Sequence, residues 1–277
     1  MTKGILLFAF NGGYDYVSLA IVCAKRIKNY IQLPISIVTD SKEYLIEHYP
    51  NELDLFDNII ESNDSTEQQK RFYNGTRNCE TFNWKNSNRV LSYDLSPYDH
   101  TLVLDTDYII NSDFLEKCFE IDTDFLIFKD FCDLAQWRDT RDFRYVSDFS
   151  IPFYWATVFI FKKTEKNLAF FELLKFIFNN WDYYRLLYQI KESTFRNDYA
   201  FSIAIHIFSD SIPNAFTNLL PGKLYYVLDK DHLIKSENNS LWFLLEKKDF
   251  PDEYTYMKIS NLDVHVMNKF SIMETFK

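Results

Sequence analysis

TLVLDTDYII (residues 101–110) is an apolar run broken by two carboxylates, Asp105 and Asp107, with only Thr106 between them. Charge has no place inside a strand buried on both faces, so the pair marks the strand's end and the start of a loop. In an open α/β sheet, ligands gather beyond the carboxyl ends of the strands. Residues i and i+2 of an extended segment point the same way, which would let both carboxylates converge on one cation. Left alone, two such groups repel and one is pushed to keep its proton, a conflict that a divalent ion removes. Oxygen ligands suit Mg²⁺ or Mn²⁺. A strand-end turn in which one Asp caps backbone amides is the alternative.

Upstream, GILLFAF (4–10) reads as a buried strand ending at the loop residues NGG. Val17, Ala20, Ile21, Ala24 and Ile27 then recur at helical spacing, with Lys25, Arg26 and Lys28 near the end where cations suit the helix dipole. PISIVTD (34–40) and DNIIES (57–62) are further strands, and this alternation predicts right-handed parallel crossovers in an α/β sheet. A short helix is expected over residues 86–93, and another through Phe119, capped by Ser112 or Asp113. TDFLIFKD (123–130) and FYWATVFIF (153–161) read as strands, Glu165 to Glu192 as one long aromatic helix packed on both sides, and residues 193–208 as a capped helix. LDVHVMNKF (262–270) is expected to be a late strand with a polar tip.

The chain has 277 residues, 47% of them apolar, enough for one large core. Lys plus Arg number 30 against 40 for Asp plus Glu, and the formal charge of -10 argues against a nucleic-acid partner. The four cysteines lack CxxC spacing, which predicts a reducing, cytoplasmic setting without cysteine-held zinc. The opening apolar stretch is too short to span a bilayer, so no membrane span is expected.

The motifs resemble those of the GT-A-fold nucleotide-sugar glycosyltransferases, most closely the glycogenin-like family 8 and related phage-type proteins. LVLDTD matches that family's metal-binding DxD at Asp105 and Asp107, with Thr106 between them in the donor site. FAFNGGYDYVSLAIVCAKRI resembles the strand, loop and helix that hold the base, with Phe10, Asn11 and Tyr14 at the loop, and SIVTD adds Thr39 and Asp40. HVMNK resembles the segment that supplies a third metal ligand, His265, and a diphosphate-gripping lysine, Lys269, without the Pro-Trp that often follows. FRNDYAF resembles the region beside the donor sugar, putting Asp198 in a catalytic position, although Asn197 and Asp198 also make a good helix start. Lys85 and Arg89 match the place of a basic residue on the donor phosphates, and Trp155 could stack on a sugar or simply pack.

The resemblance implies a GT-A-like, Rossmann-related mixed α/β sheet flanked by helices, in a single domain over residues 1–277. Residues 1–110 would hold the nucleotide, and 111–277 the acceptor and the metal and phosphate tail. It implies transfer of a sugar, with retention, from a nucleotide donor, a UDP-sugar, to a saccharide, protein or small-molecule acceptor with Mn²⁺ or Mg²⁺ bound. Two other readings of the Asp pair stay open: a haloacid-dehalogenase-type phosphatase with Asp105 as nucleophile, and a sugar-nucleotide binder without turnover.

Overall fold

In the computed structural model, apolar β-runs and amphipathic helices alternate along the first half of the chain. The structure describes residues 1–62, 69–75, 79–85, 87–138, 140, 143–148, 150–210, 212, 215–250 and 252–276. Chain order begins β1 (Lys3–Ala9), α1 (Tyr16–Tyr30), β2 (Ile35–Thr39), α2 (Lys42–His48) and β3 (Asn58–Glu61). A hairpin of β4 (Gln69–Asn74) and β5 (Cys79–Trp84) follows, then a 3-10 turn (Ser87–Leu91), α3 (Ser92–Leu95), β6 (His100–Leu104) and β7 (Tyr108–Ile109). Next come α4 (Phe114–Cys118), β8 (Phe125–Phe128), β9 (Phe131–Asp133), β10 (Trp155–Lys162), α5 (Glu165–Asn179), α6 (Trp181–Leu187) and α7 (Asn197–Phe208). The chain finishes with β11 (Asn218–Leu219), β12 (Leu224–Val227), β13 (His232–Glu237), β14 (Ser240–Glu246), β15 (Tyr254–Ser260), β16 (Val264–Val266) and α8 (Lys269–Thr275).

Seven strands form the central sheet in the order β11-β8-β10-β6-β1-β2-β3. β6, β1, β2 and β3 are parallel, as the strand and helix spacing predicts, and β10 runs antiparallel between β6 and β8, so the sheet is mixed. Ile5, Leu6 and Leu7 have no exposed surface, which is why β1 reads as an unbroken apolar run rather than an alternating one. α1 starts where the Asp15 carboxylate accepts from the Ser18 N–H at 3.0 Å.

A smaller sheet, β7-β16-β12-β9, carries the site. Its β7 follows β6 almost at once, and β16 pairs antiparallel with β7, His265 opposite Tyr108. Residues late in the chain are thereby laid beside the Asp pair. A third sheet, β13-β14-β15, is an antiparallel meander.

Several expectations need refining or correcting. Residues 165–192 are not one helix: α5 ends at Asn179, Asn180 leaves the helical conformation at φ -120° and ψ 33°, and its side chain donates to the Phe176 carbonyl at 2.8 Å before α6 begins. Nor does this region pack on both sides, since Phe176, Tyr183, Leu186 and Leu187 face solvent. The late strand stops at Val266, because Asn268 caps α8 by accepting from the Ser271 N–H at 3.1 Å. α7 does start at Asn197 with Asp198 in its first turn, but its cap position is Arg196, which makes no side-chain cap bond. The expected helix over residues 86–93 is a 3-10 turn running into α3, with residue 86 outside the described residues. For α4, Ser112 Oγ accepts from the Phe114 N–H at 3.3 Å, and Asp113 makes no side-chain cap bond.

Candidate functional site

Asp105 and Asp107 converge, though by a turn and not by an extended strand. The Tyr108 N–H donates to the Asp105 carbonyl at 3.0 Å, folding residues 105–108 back on themselves, while the Asp105 N–H is held by the Thr157 carbonyl of β10 at 2.9 Å. The Val266 N–H donates to the Asp107 carbonyl at 2.9 Å, which fixes the height of β16 against the turn. His265 then stands with Nε2 3.2 Å from Asp107 Oδ1. One ligand atom from each of Asp105, Asp107 and His265 falls within 4.8 Å of the other two.

Cations surround the triad. Lys269, the first residue of α8, reaches Asp107 Oδ2 at 2.6 Å with only 6% of its side chain exposed. Arg89 is paired with Asp105 and donates to the Ala156 carbonyl at 3.4 Å. Burial alone would raise the pKa of Asp107, but Lys269 and His265 hold its carboxyl well below the usual range. Burial lowers Lys269 from the ordinary lysine value, with Arg71 adding to the effect and Asp107 opposing it.

The triad lies in the wall of a cavity of ≈ 380 Å³. Among the described residues, six cationic side chains line it, Lys70, Arg71, Lys85, Arg89, Arg196 and Lys269, against three carboxylates, Asp105, Asp107 and Asp198. A chain of net charge -10 therefore carries a cavity with an excess of positive charge. Four buried polar atoms of its lining residues have no hydrogen-bond partner among the described residues: Tyr16 Oη, Arg89 Nε, Trp155 Nε1 and His265 Nδ1. Buried polar groups are rarely left so, and their concentration here marks a wall shaped for a polar ligand.

No protein-family model and no curated protein matches the chain. Among solved structures it is similar to the glycosyltransferase GlyE of Streptococcus pneumoniae TIGR4, with TM-score 0.46 and 14% identity over 80% of this chain and 46% of that one. The chain thus spans about half the length of GlyE. It is also similar to the galactosyltransferase LgtC in complex with donor and acceptor sugar analogues (TM-score 0.45, 11% identity, 79% of this chain and 73% of that one). A third is the 4-diphosphocytidyl-2C-methyl-D-erythritol synthase of Anaerococcus prevotii DSM 20548 (0.40, 12%, 79% and 86%). These likenesses concern the outline of the fold.

The remaining residues singled out in the sequence divide into two groups. Phe10 and Thr106 line the cavity, as does Asp198, whose carboxylate accepts from the Ala156 N–H at 2.9 Å and from Arg196 at 3.0 Å. Asn11, Tyr14, Thr39 and Asp40 lie behind its wall. Asn11 Oδ1 accepts from the Val17 N–H at 3.1 Å, the Tyr14 hydroxyl donates to the Lys269 carbonyl at 3.0 Å, and Thr39 Oγ1 accepts from the Ser41 N–H at 3.0 Å. Asp40 accepts from the Asn11 N–H at 3.0 Å and pairs with Lys85, which does reach the cavity. Trp155 also lines it, but is 1% exposed and ringed by Phe131, Phe143, Phe153 and Tyr226, a packing role.

Sequence reasoning missed the β4–β5 hairpin, which brings Lys70, Arg71, Phe72 and Trp84 to the cavity. Phe82 and Trp84, two residues apart in CETFNW, were the available signal. The hairpin lies against the first loop because Gly13 has no Cβ: its N–H donates to the Asn83 carbonyl at 3.1 Å, and a Cβ there would overlap that of Phe82. Tyr16, Arg196 and Met267 were also passed over.

Proposed function

We propose that this chain is a hexosyltransferase-like enzyme that moves a sugar from a nucleoside diphosphate donor, a UDP-sugar, to an acceptor, with Mn²⁺ or Mg²⁺ bound by Asp105, Asp107 and His265. The observation that carries the reading is the meeting of these three ligand atoms within 4.8 Å in a cavity rich in cations. The donor set fits the ion: two carboxylate oxygens and an imidazole nitrogen suit Mn²⁺ or Mg²⁺ and leave positions for phosphate oxygens. Bound there, the ion would neutralise charge on the diphosphate leaving group.

The chain's own groups then divide the work. Lys269 and Arg89, already beside the two carboxylates, would grip the diphosphate and stabilise the charge that grows on it as the sugar departs. Asp198, steadied by Arg196 and the Ala156 amide, would orient the donor sugar. Phe10 and Thr106 contribute wall to the donor pocket. Asn11, Tyr14, Thr39 and Asp40 act from behind the wall as supports of the nucleotide side. Residues 1–110 would serve the donor and 111–277 the acceptor and the tail, within a single domain, and transfer would proceed with retention, as the motif resemblance implies. The protein would work in the cytoplasm, its four cysteines free.

Calorimetry of UDP with Mn²⁺ and with EDTA tests the metal, and single-turnover cleavage of UDP-sugars tests turnover. Binding without cleavage of any donor would leave a sugar-nucleotide binder. A phosphorylated Asp105 formed from a phosphomonoester would instead make the chain a phosphatase.

A further inference from the structure

We propose that a second cleft, separated from the metal cavity by a pair of aromatic rings, binds an acid group carried by a saccharide acceptor. The word acceptor rests on the transferase reading above; the affinity for an oxyanion does not. Among the described residues, this cleft of ≈ 400 Å³ is lined by Lys129, Arg144 and Lys223 with one carboxylate, Asp130.

Three separate stretches of chain supply the cations. Lys129 follows β8. Lys223 is brought beside it because β12 pairs with β9, the Leu224 N–H donating to the Asp130 carbonyl at 2.9 Å. Arg144 arrives through the Phe153 N–H, which donates to the Arg144 carbonyl at 3.1 Å, and through the bridge of Tyr145 to Pro152. None of the three cations forms an ion pair among the described residues, in a chain with ten more acids than bases. Three cations against one carboxylate among the described residues, at one cleft of an acidic protein, favour an anion.

The surroundings favour a sugar as the carrier of that anion. Tyr145 is 52% exposed at the cleft and offers a flat apolar face of the kind on which sugar rings stack. Phe131 lines the cleft, Phe143 lines the metal cavity, and their ring centroids are 6.3 Å apart. A saccharide with its reacting end in the metal cavity and its chain passing this ring pair would bring a carboxylate, sulfate or phosphate to Lys129, Arg144 and Lys223.

The test is a backbone-amide NMR titration of the full chain with a glucuronic-acid-bearing disaccharide, its neutral glucose counterpart and inorganic phosphate. The acidic disaccharide should shift the amides around Lys129, Arg144 and Tyr145, the neutral one at least fivefold more weakly. The variant Lys129→Gln/Arg144→Gln/Lys223→Gln, altered at the cleft and away from the metal site, should lose at least fivefold in affinity for the acid while binding UDP and Mn²⁺ as the wild type does. Equal binding of acid and neutral sugars, or equal binding by the triple variant, overturns the inference. Phosphate saturating these amides at a lower concentration than the disaccharide overturns the saccharide assignment. Absence of UDP binding by the wild type would count against the transferase reading alone, and the disaccharide result would still decide whether the cleft takes an oxyanion.

Discussion

His265 Nε2 lies 3.2 Å from Asp107 Oδ1 across a ladder of only two residue pairs, Val264 with Ile109 and His265 with Tyr108. Distant parts of the chain meet there, and Lys269 closes on the other oxygen of the same carboxylate. Asp107 is thus the one group that both the metal ligand and the buried cation address.

Asp107→Asn should accordingly have two effects. Removing the charge takes an anionic ligand from the metal, so Mn²⁺ affinity should fall at least tenfold and UDP binding should lose its response to EDTA. It also leaves Lys269 buried without its counter-charge, a change that costs ~3–5 kcal/mol when a buried pair is broken. Denaturant unfolding and Mn²⁺ calorimetry measure the two separately. Unchanged metal affinity in a folded variant would remove Asp107 from the ligand set.

Gly13→Ala tests whether the hairpin belongs to the site. The new Cβ would collide with Phe82 and stand 3.1 Å from the Asn83 nitrogen, so β5 must lift from the first loop. Overpacking of this kind costs ~1–3 kcal/mol. Because the hairpin supplies Lys70, Arg71, Phe72 and Trp84 to the cavity, UDP affinity should fall more than Mn²⁺ affinity. Should nucleotide binding survive intact while stability falls, the hairpin is scaffold only.

The parallel strands were legible because strands buried on both faces are runs of apolar residues, as in ILLFA and TLVL. The Asp pair was legible for the opposite reason, as charge where such a run ends. The hairpin was not, since QKRFYN and CETFNW are mostly polar, and of these two strands' residues only Tyr73 and Phe82 are buried. Choosing Tyr16 over Tyr14 was beyond the pattern, because Tyr14 lies just before the amphipathic helix and Tyr16 opens it, and only the direction of that first turn sends Tyr16 to the cavity. The seat of Lys269 was hidden too: HVMNK continues an apparent strand, and the cap at Asn268 shows itself only through its bond to Ser271.

His100 gives a pH prediction away from the site. It starts β6, is 3% exposed and packs against the Phe119 ring at 4.6 Å. Burial first, then the charges of Lys162 and Lys3, push its pKa down to about 4. Between that value and the ~6.5 of an unfolded histidine, the unfolded chain binds the extra proton, so stability falls as pH drops through this window. His100→Leu should remove ~1–2 kcal/mol of the stability loss between pH 7 and pH 5, read from urea unfolding at both values. Parallel pH dependence in the two proteins would show that His100 titrates normally.

Lys269 is the residue on which the transferase reading is most exposed. Its ammonium is held at Asp107, its carbonyl accepts from the Tyr14 hydroxyl, and the preceding Asn268 ties α8 to the rest of the fold by donating to the Asp231 carbonyl at 2.9 Å. If Lys269 stabilises charge that develops on the departing diphosphate, its removal must cost more in the transition state than in the ground state. Lys269→Ala should lower kcat for donor cleavage by ~10² with a much smaller change in KM. Asn268→Ala serves as the control: losing a cap costs ~1 kcal/mol of stability and shifts the lysine without deleting it, so its kcat should fall far less. Single-turnover cleavage by both variants, after circular dichroism has established that they are folded, separates the cases. Equal kcat losses in the two would mean that α8 acts by position and that the ammonium itself does no chemistry. A Lys269→Ala enzyme with wild-type kcat would remove the leaving-group role altogether.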